Sequence, residues 1–376
     1  MVVSTPAIRG STACGCCTAP AANAWPYSCT SVVRIAALYT GARKEGNPTM
    51  EYHSLGRTGV QVSALCLGAM TFGGKTDQAE ATRMVDRFLD AGGNFIDTAN
   101  VYQRGVSEEM TGRALAGGKR ARVVLATKVH GAMDDDDRNM QGNHRRNIIQ
   151  ACEASLRRLG TDYIDLYQIH RPQSNVPIDE TLRALDDLIH AGKVRYVGTS
   201  TYAAWQLMEA WMVATDGGLN HFISEQPPYH LLDRRVEREL IPFCQTYGVA
   251  VLPWSPLAGG KLTGKYRRGQ AAPSNARETP ADFSEGTWRV LEGLEQLCKE
   301  KGCSMTAFAL AWLTAQPGVT SPIIGANSVT QLEENLASGD VTITAADTER
   351  VDALIAPGTH TEDYYRADFE PHPHRL

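Results

Sequence analysis

Long apolar runs are missing from this sequence. The richest candidate, Ala307 to Leu313, is far shorter than the roughly 20 residues that cross a bilayer. A dominant charge is missing too, since 37 basic residues are balanced by 42 acidic ones and the net charge is -5. Nucleic-acid binders usually carry a basic field. We therefore expect a small-molecule partner, with no nucleic acid and no membrane.

Metal-ligand spacing is also missing. The cysteines after residue 50 stand singly, at Cys66, Cys152, Cys244, Cys298 and Cys303. The chain holds nine cysteines, an odd number, which favours reduced side chains in a reducing compartment. We predict no metal site and a cytoplasmic location.

The first 49 residues contain no acidic residue before Glu45 and are rich in Ser, Thr and Ala. Such a leader resembles an organelle transit peptide, which would make an organelle the alternative location. The interpretation we favour is an unstructured extension or a mistaken start, because regular patterning begins at Met50. The cluster Cys14 to Cys17 has no His or second Cys pair nearby, so we expect no metal there. Residues 50–376 are predicted to form one domain.

Short apolar segments alternate with longer amphipathic ones from Ala64 onward. Each short segment is rich in β-branched or large apolar residues, as expected of strands buried on both faces. The eight predicted strands cover residues 64–70, 94–99, 122–128, 163–170, 194–200, 222–226, 249–255 and 321–326. Helical patterns lie between them, such as residues 81–93, which end at a Gly pair.

A dinucleotide-binding G-x-G-x-x-G motif is missing after the first strand, where the chain has LGAMTFGGK. Eight consecutive strand–helix units either close into a barrel or form an open doubly wound sheet. Both are α/β folds, and the missing motif favours the (β/α)8 TIM barrel over the open sheet. Residues 51–65 predict an N-terminal β-hairpin that caps the bottom of the barrel, and an extra helix and a tail follow the last strand.

Polar side chains stand at the carboxyl ends of the predicted strands, where the active site of such a barrel lies. Strand two ends in Asp97 with Tyr102 on its loop, strand three ends in Lys128, and strand four ends in His170. An ammonium group lowers the pKa of a neighbouring tyrosine, normally ~10. His170 can donate a hydrogen bond to a carbonyl oxygen. Together they predict a site that protonates an oxygen, a step worth ~10² to 10⁴ in rate.

Each residue also has a structural interpretation. Asp97 can cap its loop, Lys128 and Tyr102 can be solvated, and His170 and Trp254 can belong to the core. We interpret His130 and the acidic run from Asp134 to Asp137 as surface loop.

Longer stretches resemble the aldo-keto reductases. FIDTANVYQRGVSEEMTGRAL, LATKV, YIDLYQIHRP, VRYVGTS, SEQPPYHLL, LPWSPLAGGKLTGKY and IIGANSVTQLEENL occur in the family's order. The resemblance covers residues 51 to about 372. The residues of these stretches are most similar to the branch of the family that includes bacterial reductases and voltage-gated potassium-channel β subunits. It implies a barrel that binds NADPH/NADP+ without a Rossmann domain and delivers hydride to an aldehyde or ketone.

The resemblance also implies roles for single residues. Tyr102 would be the proton donor, Lys128 and Asp97 would tune it, and His170 would orient the substrate carbonyl. The implied cofactor contacts are Gly68, Ser200, Gln226, Trp254, Ser255, Pro256, Leu257, Gly259, Lys265, Arg277, Gly325, Asn327, Gln331, Glu334 and Asn335. Ser200 and Gln226 would hold the nicotinamide carboxamide, and Trp254 would stack on the ring. The family usually has Asn where this chain has Thr201, so we expect a looser grip there.

Residues 256–269, PLAGGKLTGKYRRG, nearly match a phosphate-binding P-loop but have Tyr266 where Ser or Thr would hold magnesium. A triphosphatase is therefore not expected. Glycines let the chain approach a pyrophosphate closely. On the resemblance, Lys265 and Arg277 would face the 2′-phosphate of NADPH.

The alternative function is an NADPH-binding, redox-sensing regulatory subunit similar to the potassium-channel β subunits. Those subunits lack a histidine at the position of His170, so the complete set of Asp97, Tyr102, Lys128 and His170 favours turnover. The sequence predicts neither the physiological substrate nor the oligomeric state.

Overall fold

The computed structural model describes residues 50–272 and 276–361. The strands within these ranges are β1 (Tyr52–Ser54), β2 (Gln61–Ser63), β3 (Cys66–Gly68), β4 (Phe95–Asp97), β5 (Val124–Val129), β6 (Ile164–Ile169), β7 (Val194–Ser200), β8 (Ser224–Gln226), β9 (Ala250–Val251) and β10 (Ile323–Gly325). The helices are α1 (Gln78–Asp90), α2 (Val106–Ala114), α3 (Arg145–Leu159), α4 (Ile178–His190), α5 (Ala204–Gly217), α6 (Leu240–Tyr247), α7 (Glu285–Lys301), α8 (Met305–Thr314), α9 (Val329–Leu336) and α10 (Ala345–Leu354). The predicted extension and most of the predicted tail lie outside the described residues.

Eight parallel strands form one sheet in the order β10-β3-β4-β5-β6-β7-β8-β9. The two end strands meet through the backbone, because Ile323 N donates to Pro253 O at 2.8 Å and Thr320 N donates to Val251 O at 2.9 Å. The sheet thus closes on itself, and the predicted barrel is confirmed. The predicted hairpin is also confirmed, since β1 and β2 pair in antiparallel fashion.

β9 is shorter than the predicted strand over residues 249–255. Its regular ladder covers only Ala250–Val251, because Pro253 has no N–H to contribute to a sheet. Trp254 resumes the pairing as an isolated bridge to Pro228. Trp254 therefore still lies just beyond the carboxyl end of β9 and pairs with the segment that follows β8.

The hairpin closes one end of the barrel. Leu55 and Val62 pack in one apolar cluster with Phe95 and Leu166 from the strands and with Leu252 directly after β9, and all five are fully buried. Phe95 opens β4, so this cluster fills the amino-terminal end. The opposite mouth, at the carboxyl ends of the strands, is left for a ligand.

The outer helices follow the sequence pattern. α1 begins after Asp77, whose side chain accepts from Glu80 N at 2.8 Å. Its buried face includes Met84, Val85 and Phe88, which are fully buried. None of the helices in the described parts of the chain combines the length and apolar content needed to cross a membrane.

Candidate active site

A cavity of about 890 Å³ opens at the carboxyl ends of the barrel strands. Every residue that the sequence assigned to the cofactor lines it, and so do Asp97, Tyr102 and His170. Lys128 is fully buried beneath the cavity. The structure therefore brings all the predicted site residues together in one place.

Lys128 and Asp97 form a buried ion pair under this cavity. The Lys128 ammonium donates to Asp97 Oδ1, to Thr98 O at 2.9 Å and to Tyr102 Oη at 3.4 Å. Three acceptors match the three hydrogens of an ammonium. Burial disfavours the charge on Lys128, but the Asp97 carboxylate and Tyr102 raise its pKa above the ordinary value. Lys128 thus stays cationic at neutral pH.

The Tyr102 hydroxyl is protonated at neutral pH. Burial raises the pKa of Tyr102 above its ordinary value, while the Lys128 ammonium lowers it. The sequence predicts a lowered pKa for Tyr102, and the structure gives a raised one. Burial destabilises the phenolate more than the Lys128 ammonium stabilises it. A proton donor must carry its proton, so this direction agrees with such a role.

His170 stands edge-on to Tyr102, with ring centroids 5.7 Å apart and an angle of 80° between the rings. Burial, Lys128 and Arg171 lower the pKa of His170 well below its usual range. The imidazole is therefore neutral at physiological pH, with one N–H to donate. His130 adds to this lowering. It is half-buried in the loop that the sequence assigned to the surface, with Nδ1 3.0 Å from Asn143 Oδ1.

The loop that carries Tyr102 is strained. Gln103 and Arg104, which follow Tyr102, both have left-handed backbone angles with φ of 49° and 52°, a region that non-glycine residues enter at a cost. The loop is tied down just beyond them, since Ser107 Oγ donates to Ala69 O at 2.7 Å. This bond links α2 to the end of β3 and fixes the loop from which Tyr102 projects.

Thr201 directs its hydroxyl toward protein atoms. Its Oγ1 donates to Ser200 O at 2.7 Å and accepts from Arg171 Nη1 at 3.1 Å. Thr201 is not among the side chains that line the cavity, unlike its neighbour Ser200. The looser grip on a carboxamide stays a prediction.

The far end of the cavity is basic. Lys265, Arg277 and Lys75 all line it, and burial together with the charges of Arg277 and Lys75 lowers the pKa of Lys265. Gly259, Gly260 and Gly264 have φ of 66°, 99° and 74°, so this loop needs glycine to adopt its path. Three crowded cations match a multiply charged anion.

Asn335 on α9 supplies a hydrogen-bonding group to the same cavity. It is 3% exposed, and its Nδ2 is a buried donor without a partner among the described residues. Buried donors are normally satisfied. Asn335 thus adds to the cavity lining a buried amide whose Nδ2 has no partner among the described residues.

Sequence reasoning missed several residues of the site. Lys75 and Arg171 line the cavity, and Gln168 lies beneath it next to Asp97. The position of Gln168 offers a signal, because it stands two residues before His170 and strand side chains alternate with a period of two. Lys75 follows a Gly pair in a loop at the mouth, where a basic residue can meet a ligand.

Known proteins resemble this chain over the same region. Residues 64–356 match the Aldo/keto reductase family. An uncharacterized oxidoreductase of Bacillus subtilis is 39% identical, with 84% of this chain and 99% of the relative covered. A probable voltage-gated potassium channel subunit beta of Oryza sativa subsp. japonica is 37% identical, over 84% of this chain and all of the relative. The versiconal hemiacetal acetate reductase of Aspergillus parasiticus is 35% identical, over 82% and 98%. The chain belongs to the aldo/keto reductase family.

Proposed function

We propose that this chain is an NADPH-dependent reductase that converts an aldehyde or ketone to an alcohol. The observation that carries the proposal is the set of Tyr102, the Lys128–Asp97 ion pair and a neutral His170 at one end of the cavity. Family membership and relatives named as oxidoreductases support the reaction class.

The described residues fit NADPH. Lys265, Arg277 and Lys75 would hold its 2′-phosphate or pyrophosphate at the basic end, and Asn335 Nδ2 would find an acceptor on it. The glycines of the loop after β9 would let the backbone come close to the phosphates. When bound, NADPH supplies the hydride, and its nicotinamide would lie between Trp254 and the strand ends that carry Ser200 and Gln226.

The chain's own residues would manage the proton. Tyr102 Oη holds a proton at neutral pH, and the Lys128 ammonium 3.4 Å away stabilises the phenolate left after the proton has been donated. Neutral His170 would donate its N–H to the carbonyl oxygen and fix the direction from which that oxygen meets Tyr102. Donors placed where negative charge develops lower the barrier without reorganisation.

Purified protein is expected to oxidise NADPH when it is given a reactive aromatic aldehyde such as 4-nitrobenzaldehyde. Tyr102→Phe should lower kcat by at least about 10²-fold, because general acid catalysis is worth that much. NADPH binding, measured by fluorescence quenching, should change little. A Phe variant that keeps most of its turnover would show that Tyr102 is not the acid.

A redox-sensing regulatory subunit is the second candidate, because two relatives named as probable potassium channel subunits beta match this chain at 37% and 36% identity. This function would need tight NADPH binding without turnover. A broad carbonyl panel, run with NADPH and NADH, separates the two. Turnover with any carbonyl above the Tyr102→Phe background supports the reductase, and its absence despite NADPH binding supports the sensor.

A further inference from the structure

Gln168 is a fully buried amide at the centre of the barrel. It stands on β6, in register with Lys128 of β5 on one side and Gly198 of β7 on the other. We propose that Gln168 is a positioning residue that orients Asp97 and Gln226 together, and so couples the proton-donating group to the residue that would grip the nicotinamide carboxamide. This inference rests on the proposed function and deepens it.

A closed triangle of hydrogen bonds carries the proposal. Gln168 Nε2 donates to Asp97 Oδ2 at 2.9 Å. Gln226 Nε2 donates to the same oxygen at 3.1 Å and to Gln168 Oε1 at 3.1 Å. The other Asp97 oxygen accepts from Lys128. Asp97 is therefore held by Lys128 on one oxygen and by two amides on the other.

The chemistry of the carboxylate fixes which way both amides point. An ionised Asp97 can only accept, so the nitrogen of each amide must face it. Gln226 then uses one N–H on Asp97 and the other on Gln168 Oε1, which leaves Gln226 Oε1 for the cavity that this side chain lines. Gln226 accordingly presents an acceptor to a ligand, as the NH₂ of a carboxamide requires.

Gln168 also affects the proton donor through Asp97. Its N–H offsets part of the negative charge of a carboxylate that is only 2% exposed. The Lys128 ammonium is then shared between Asp97 and Tyr102 rather than being drawn wholly to Asp97. Loss of this donor should weaken the support for the Tyr102 phenolate.

Gln168→Met tests the positioning role, because methionine has a similar length and offers neither donor nor acceptor. We expect kcat to fall about tenfold or more and NADPH to bind several-fold more weakly, since one charge-assisted hydrogen bond, to Asp97, and one neutral hydrogen bond, from Gln226, are lost. Tyr167→Phe is the matched control: the neighbouring residue on β6 is also fully buried and loses one hydrogen bond, from Tyr167 Oη to Ile148 O. The control should lose stability and keep both kcat and the affinity for NADPH.

Gln168→Glu gives a readout that a merely structural role would not move. A neutral carboxylic acid has a donor for Asp97 and an acceptor for Gln226, whereas an ionised one has no donor. The ratio of kcat in this variant to kcat in the wild type should therefore fall as pH rises from 5.5 to 8. A ratio that does not change with pH, or a Gln168→Met variant within twofold of wild type in both readouts, overturns the assignment.

A double-mutant cycle in NADPH binding needs no turnover. Gln168→Met, Gln226→Met and the double variant are titrated with NADPH, and the double variant should bind no more weakly than Gln226→Met alone. Additive losses contradict the coupling. An inactive wild type with non-additive binding would refute the reductase proposal alone. An active wild type with additive binding would refute the role of Gln168 alone.

Discussion

At the scale of single residues, Glu225 places a carboxyl group in the barrel wall beside the candidate site. It stands next to Gln226 on β8 and is fully buried. Its Oε1 accepts from Tyr202 N at 3.1 Å, and its Oε2 accepts from Thr199 Oγ1. These bonds brace the turn in which Thr201 has a φ of 59°, a strained angle for a β-branched residue. Glu225 therefore helps to hold Ser200 in place.

Glu225 should make stability depend on pH. Burial raises its pKa from 4.5 to about 8. The hydrogen bonds from Thr199 and Tyr202 and the charge of Arg171 lower the pKa, but by less than burial raises it. Between these two values the folded state binds more protons than the unfolded state. The free energy of unfolding should thus fall with rising pH by up to about 1.4 kcal/mol per pH unit from this group alone.

Glu225→Gln should remove this slope, because an amide does not titrate. Its oxygen can still accept from Tyr202 N, and the Thr199 hydroxyl can turn to Ser224 O, 3.3 Å away. Urea denaturation at pH 5 and pH 8 measures the effect, with exposed Glu239→Gln as the control. The stability of Glu225→Gln relative to wild type should rise with pH. Parallel pH curves would contradict the prediction.

Lys265 should discriminate between NADPH and NADH. Its charge is crowded by Arg277 and Lys75, and a 2′-phosphate would relieve this repulsion. Lys265→Ala should raise KM for NADPH about 10- to 100-fold, the value of a hydrogen bond between charged groups, and should hardly change KM for NADH. Exposed Lys299→Ala on α7 is the control. An equal loss with both cofactors would refute the assignment.

At the scale of elements, the strands were the most predictable part of the structure. A strand buried on both faces needs a short apolar run, and each of the eight runs overlaps one strand of the barrel. Only β5 extends past its run, by one residue, to Val129. Predicting the strands also predicted where they end. For this reason the sequence could place Asp97, Tyr102, Lys128 and His170 at one mouth of the barrel. The shortening of β9 was also present in the sequence, as Pro253.

Contacts between elements were less predictable. The triangle of Asp97, Gln168 and Gln226 joins three strands, and such a contact depends on register and on the closure of the barrel. The net pKa direction of Tyr102 depends on how deeply its hydroxyl is buried, which a pattern of residue types does not reveal. The sequence was thus enough to predict which residues lie at the strand ends, whereas the hydrogen-bond partners behind them required the structure.

At the scale of the whole molecule, the family match and the described cavity lie in the same part of the chain. The family match covers residues 64–356, and the Oryza sativa and Arabidopsis thaliana relatives are covered over their whole length by 84% of this chain. Every side chain of the described cavity comes from residues 68–335. The division into an extension, residues 1–49, and a barrel domain, residues 50–376, stays a prediction, and the family match lies within the second of these parts.

A chain that starts at Met50 should therefore fold and turn over like the full-length chain. The hairpin that closes the amino-terminal end of the barrel lies within it, with Leu55 and Val62 in its apolar cluster, so the truncation keeps every described residue of the barrel core. Thermal melting and carbonyl-dependent NADPH oxidation measure the effect, and we expect Tm within a few degrees and kcat within about twofold, as for changes away from packed or catalytic groups. A chain that starts at Val62 is the matched control, because it removes β1 and Leu55 and should melt markedly earlier. Loss of folding in the chain that starts at Met50 would show that residues 1–49 belong to the barrel's structural unit.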